Sequence, residues 1–212
     1  MAAWEITKEI VGFLYQLSGI IIVIGVVVGI LQLRVLKKDL KDRNTRAVAE
    51  KSLEYLTFYA NFIGEQDKYN EALKKEIPTP EKTDHLFDGK FNLQIDSLSK
   101  ELLAESIVKY ELGLHLLFNQ LEYFSVAVLK GVVDDTIMYT PVAKNFCKLV
   151  KEEHVFISVM RSNGAPFKNL FQLYKKWTDR MEVEQLELQK LEAERKIKQK
   201  GTDYQSTPPI GF

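Results

Sequence analysis

From residue 10 to residue 33 the chain carries no charged side chain, and this run of twenty-four residues separates a short beginning from a long patterned remainder. At 1.5 Å per residue a helix of that length spans about 36 Å, enough for a hydrocarbon core of roughly 30 Å. β-Branched residues crowd the run and in water would favour a strand. In lipid the backbone must satisfy its own hydrogen bonds, and helix is the solution. A transmembrane helix over residues 10–33 is therefore expected. A cleaved signal peptide fits poorly, because the run is long, Glu5, Lys8 and Glu9 make its start non-basic, and no small-residue cleavage site follows.

Beyond the run the apolar positions recur at three- and four-residue steps, the helical period. Val48, Tyr55, Leu56, Tyr59, Phe62 and Ile63 predict an amphipathic helix over residues 44–76, interrupted at Gly64 and closed by Pro78 and Pro80. Residues 77–96 read as a loop, with a turn signal at Asp88-Gly89. Leu103, Ile107, Tyr110, Leu114, Leu117, Leu121, Phe124 and Val128 form the predicted buried stripe of residues 97–130. Asp96, Ser97 and Ser99 are candidate N-caps of that segment, Gly113 divides it and Gly131 ends it. Asp134-Asp135 predicts a short helix to Tyr139, and Thr140-Pro141 opens another to Ser162. Asn163-Gly164 stops that one, and Pro166 restarts a last helix running past Lys200.

The last helix changes character after Trp177. Residues 179–200 are mostly charged, with Glu192–Lys196 and Glu194–Lys198 at favourable spacing. Val183, Leu186, Ala193 and Ile197 make an incomplete heptad with Lys190 on its seam, which points to a solvated extension rather than a coiled coil. No alternating strand pattern occurs in the soluble part. The expected fold is all-α, with one N-terminal transmembrane helix, a cytosolic helical bundle and a long charged C-terminal helix. The expected division is an extracytoplasmic start (1–9), the span (10–33), a basic juxtamembrane segment (34–51), the bundle (52–178), the charged extension (179–200) and a disordered tail (201–212).

Charge sets the orientation. Arg34, Lys37, Lys38, Lys41, Arg43 and Arg46 follow the apolar run, and the positive-inside rule puts that side in the cytoplasm of the inner membrane. The same cations are expected to contact anionic headgroups. Within the run, Ser18, Gly25 and Gly29 share one helix face, and Gly25-Val-Val-Val-Gly29 is a small-residue packing element that predicts a homo-oligomer. Over the whole chain 29 basic residues balance 29 acidic ones. That balance speaks against a nucleic-acid partner and leaves the lipid membrane and a cytosolic protein as the expected ones. The single cysteine, Cys147, lies in an apolar pattern and reads as a small core residue.

Catalytic chemistry is hard to find. His85, His115 and His154 are widely separated, no metal-ligand spacing occurs, and no phosphate-binding or nucleophile motif is present. No cofactor is expected. His115, Asn119 and Glu122 lie on adjacent turns and form a polar cluster that reads first as an interhelical hydrogen-bond network. Glu152, Glu153, His154 and Arg161 read as a charged, solvated face. A helical RNase of the HEPN type would carry arginine and histidine separated by four to six residues, and the residues four to seven before His154, Val150, Leu149, Lys148 and Cys147, include no arginine.

The run from Phe118 to Gly131, with Asn119 and Glu122 inside it and Asp134-Asp135 after it, resembles the family called domain of unknown function 4760. Arg161, the following Asn-Gly and the segment from Phe167 to Trp177 fit its closing part, so the likeness covers residues 97–178. In layout the chain is similar to small membrane accessory proteins of type VI-B CRISPR loci. The resemblance implies a self-associating membrane effector or accessory protein of antiviral defence, acting as an oligomeric pore. A membrane-tethered scaffold and a divergent HEPN-type RNase are the alternatives.

Overall fold

A computed structural model of the chain describes residues 2–80, 83–87 and 89–200, giving the backbone alone at Lys200 and at several positions among the first 24. Asp88 and the tail at 201–212 lie outside the described residues. Among the described residues the protein is all-helical: α1 (Ala2–Glu76), α2 (Lys100–Glu111), α3 (Leu114–Leu129), α4 (Asp135–Glu152), α5 (His154–Ser162) and α6 (Lys168–Lys200). Single 3-10 turns, Asp84–Leu86 and Ile95–Ser97, punctuate the connection from α1 to α2. The chain divides into two compact units, Met1–Glu50 and Lys51–Phe212.

The described residues of the first unit are all helical. The second is a bundle whose core is aromatic. Trp177 is fully buried and meets Phe146 edge-on at 5.2 Å, with Phe124 and Tyr139 at 6.2 and 6.1 Å. Its indole N–H donates to Asp135 Oδ1 at 2.9 Å, so the largest core side chain leaves no polar atom unpaired. Tyr59 and Phe62 of α1 stack at 5.4 Å and reach Phe124 of α3 through Tyr59. Fully burying a side chain of the Phe or Leu class contributes roughly 1.5–3 kcal/mol, so this cluster is the main source of stability.

The helix ends follow local chemistry. Ser99 caps α2 by accepting from the Leu102 N–H at 3.2 Å. Gly113, at φ +90°, makes the break between α2 and α3. Gly131, at φ +69°, ends α3 with Val132 N–H bonded to Ala127 and Gly131 N–H to Val128, a Schellman close. Asp134 caps α4 through Thr136 and Ile137, while its own N–H donates to the buried Ser52 hydroxyl of α1 at 2.8 Å. Cys147 is a buried core residue, and burial pushes its thiol up to about 12.

Four expectations need correction. Gly64 does not interrupt α1; a lone glycine costs a helix only about 1 kcal/mol, and Phe62 and Tyr69 hold both sides of it in the core. Pro141 does not open a helix but lies within α4, exposed, where the carbonyl it leaves unpaired belongs to the exposed Ile137. The helix instead breaks at Glu153, so one expected element, 140–162, is two. On α2 the predicted stripe is the wrong face: Ile107 and Tyr110 are 59% and 48% exposed, while Leu102 and Ser106 are buried. The bend at Gly113 rotates α2 away from the register of α3, at 72° between the two axes.

Candidate functional site

The residues singled out on α1 lie on an exposed helix. Val26, Val27, Val28, Ile30, Leu31 and Leu33 are all between 44% and 67% exposed, and they point in every direction around the axis. A Cβ added at Gly25 or Gly29 meets nothing within 4 Å, so no contact inside the chain requires glycine there. Ser18 is exposed as well. Arg34, Lys37, Lys38 and Lys41 stand at i, i+3, i+4 and i+7 and form one cationic face. Arg43 and Arg46 fall on the other side with Asp39 and Asp42, and Arg43 pairs with Asp39 at 3.0 Å. All six cations are exposed.

The polar cluster on α3 separates. His115 stacks on Tyr110 at 4.1 Å between ring centroids, with Nδ1 3.0 Å from the Tyr110 carbonyl. Asn119 is exposed. Glu122 turns to α6: its Oε1 accepts from the N–H and side-chain amide of Asn169 at 3.1 and 2.8 Å, and Oε2 from Leu170 N–H at 2.7 Å. A carboxylate on α3 thus caps the first turn of α6, where free N–H groups and the helix dipole favour negative charge. The three side chains have three different tasks.

The segment read as a solvated face is largely interior. His154 is 2% exposed, with Nδ1 2.9 Å from the Lys151 carbonyl, which fits an N–H at that nitrogen; Nε2 has no partner. Arg161 donates to the carbonyls of Lys90 and Phe91, both at 3.0 Å, and lies over the Phe171 ring at 4.7 Å. It thereby secures a loop in which the buried Phe91 takes φ +54°. Glu153 pairs with Lys109 of α2 at 2.8 Å, and Glu105 joins at 2.9 Å; the three side chains are 11–13% exposed. Tertiary packing brings these groups inside, where periodicity alone had left them in solvent.

This buried triad is the strongest internal polar constellation, and it lines a cavity of about 230 Å³ with Ser106, Thr83 and Leu102. Burial works against the charge of Lys109, but Glu153 and Glu105 outweigh it and hold the ammonium above its usual range. The lysine is a fixed cation and not a free amine base. Tyr69, buried with its hydroxyl unpaired, has its phenol driven up by burial and by the same two carboxylates. Among the described residues no group of three His, Cys, Asp or Glu is disposed to hold a metal ion. Sequence reasoning had only the Glu105–Lys109 spacing as a signal for the triad; Glu153 enters from 44 residues away.

A family model described as domain of unknown function, DUF4760, matches residues 19–177, three quarters of the chain. The chain belongs to the DUF4760 family. The match ends within one residue of the expected segment and begins far earlier, so the DUF4760 domain includes much of α1 as well as the bundle. No curated protein and no solved structure matches the chain. The residues that carried the resemblance are those that hold the DUF4760 fold together. Glu122 caps α6, Gly131 closes α3, Asp134 caps α4, Asp135 binds Trp177 and Lys176, and Arg161 holds the 90–91 carbonyls.

Among the described residues no single helix is long and apolar enough to cross a membrane. The bent pair α2 and α3 together has the length and apolar composition of a span. Its apolar residues Leu114, Leu117, Phe118, Leu121 and Phe124 fill the bundle core, which is a sufficient account of their hydrophobicity.

Proposed function

We propose that this DUF4760 protein is a single-pass, membrane-anchored helical module that works by self-association at the membrane, as an effector or accessory component of antiviral defence. The observation that carries the reading is the uncharged run of residues 10–33 within the continuous helix α1, whose described apolar side chains from Ile22 to Leu33 have no cover inside the chain. In water such a surface is costly, at about 25 cal/mol for each Å² exposed, and a bilayer removes that cost. The cationic face at Arg34, Lys37, Lys38 and Lys41 follows at the depth where anionic headgroups lie, with the bundle on the cytoplasmic side. Gly25 and Gly29, bare inside the chain, offer a close-approach face to a second helix. The layout likeness to type VI-B accessory proteins supports the defence role.

Alkaline carbonate extraction of membranes tests the anchor. The protein is expected to stay in the pellet and leave it only with detergent; release by carbonate alone overturns the reading. Light scattering of the detergent-solubilised chain then tests assembly. A discrete multimer is expected, lost in the Gly25→Leu/Gly29→Leu variant, and a clean monomer at all concentrations removes self-association from the proposal.

A further inference from the structure

Beyond Trp177 the last helix leaves the core, and residues 182–199 of α6 are exposed throughout. A solvated helix has no need of an apolar stripe, yet this one carries Val183, Leu186 and Ile197, at 54%, 57% and 67% exposure, with Ala193 between them. Together with Lys190 they stand at i, i+3, i+7, i+10 and i+14, which keeps them within an arc of about 80° on the helix surface. Those are a/d positions of a two-stranded coiled coil over just more than two heptads, interrupted by Lys190, with the exposed Leu188 and Leu191 lying outside the arc.

The charges say what covers the seam. Residues 179–189 hold four carboxylates and one cation, whereas residues 190–200 hold five cations and two carboxylates. The extension is therefore acidic in its first half and basic in its second. Two copies in parallel set acid beside acid, with Glu182 of one chain next to Glu187 of the other across the seam. Two copies antiparallel lay each acidic half along a basic half, and Glu182 meets Lys196 of the second copy twice, once at each end. Among the described residues neither Glu182 nor Lys196 makes an ion pair within its own chain, while Glu194 is taken by Lys190 at 4.0 Å and Glu184 by Arg180 at 3.0 Å.

We infer that the α6 extension is a docking surface for a second copy of this chain, joined antiparallel along Val183, Leu186, Ala193 and Ile197 and oriented by Glu182 and Lys196. Lys190 on the seam weakens the pair but restricts its register, as a single polar seam residue does in two-stranded coils. A pair of helices this short is marginal in dilute solution. On the membrane reading above, anchored copies meet at high effective concentration, which suits a weak, reversible contact.

The test uses the full-length chain in detergent or bilayers with Gln189→Cys, near the centre of the antiparallel overlap, as a cross-linking reporter. The native Cys147 is buried and stays silent. Oxidation is expected to give a disulfide dimer through position 189. Glu182→Lys and Lys196→Glu, each alone, set like charges together at both ends and are expected to lower the dimer fraction by about five-fold. Co-expressing the two variants restores opposite charges at both ends and is expected to restore cross-linking between them. No dimer through position 189, no response to charge reversal, no rescue on co-expression, or stronger cross-linking in Glu182→Lys, the sign a parallel pair requires, each overturns the inference. Circular dichroism verifies that the exposed substitutions leave the helices intact. Neither reversal touches the apolar run, so carbonate extraction is unchanged by them, and failure here is distinguishable from failure of the membrane anchor.

Discussion

Single side chains at helix ends do much of the work of placing one element on another. Glu122 is the clearest case, because its carboxylate satisfies the first-turn N–H groups of Asn169 and Leu170 and the Asn169 amide besides. Hydrogen bonds to a charged group contribute about 1.5–3 kcal/mol each, and two backbone donors would be left bare without it. Glu122→Ala is expected to lower unfolding stability by about 2–4 kcal/mol, with Glu122→Gln intermediate, read from the midpoint of urea denaturation. Equal stability of Glu122→Ala and wild type would show that water replaces the cap. The sequence placed this glutamate in an interhelical hydrogen-bond network together with His115 and Asn119; Glu122 does bond across helices, but without those two and to partners on α6. The i,i+3 and i,i+4 spacings show which side chains share a face; they do not show that α6 begins beside that face. Lys109, with Glu153 44 residues away, illustrates the same gap.

At the scale of elements, local rules succeeded at several ends and failed at Pro141, at Glu153 and in helix interiors. Gly113, Gly131, Asn163-Gly164 and Ser99 all act at the boundaries where they were expected, since a positive φ or a cap bond is a short-range requirement. Pro141 and Gly64 are breakers that do not break, because Met138, Tyr139 and Val142 around the one, and Phe62 and Tyr69 around the other, are packed into the core. Propensity is a term of at most about 3 kcal/mol, and several buried side chains exceed it. Pro141→Ala returns an N–H donor to the Ile137 carbonyl at an exposed site. It is expected to raise the unfolding free energy by about 1–3 kcal/mol. A lower urea midpoint for that variant would mean that the proline is needed for the shape of α4. The rotated face of α2 has the same origin: a 3.6-residue period carried across Gly113 predicts one continuous stripe, and the bend at that glycine ends the continuity.

For the whole molecule, among the described residues the fully buried core residues run from Tyr59 onward, and Ser52 of α1 accepts from the Asp134 N–H. The second unit should therefore fold without the first. A chain beginning at Lys51 is expected to be helical, to unfold cooperatively and to remain dispersed without detergent, as judged by circular dichroism and size-exclusion chromatography. Aggregation of that chain, or a non-cooperative melt, would show that residues 1–50 stabilise the bundle. The all-helical character, the uncharged run at 10–33, the helix ends at Ser99, Gly113, Gly131 and Asn163-Gly164 and the change of character after Trp177 were legible from composition and period, because each depends on residues near one another in the chain. Burial of His154, the Lys109 triad, the Arg161 clamp and the destination of Glu122 were decided by the tertiary structure. Each requires knowing which helix faces which, and that is set by the summed packing of side chains far apart in sequence, which no local pattern encodes.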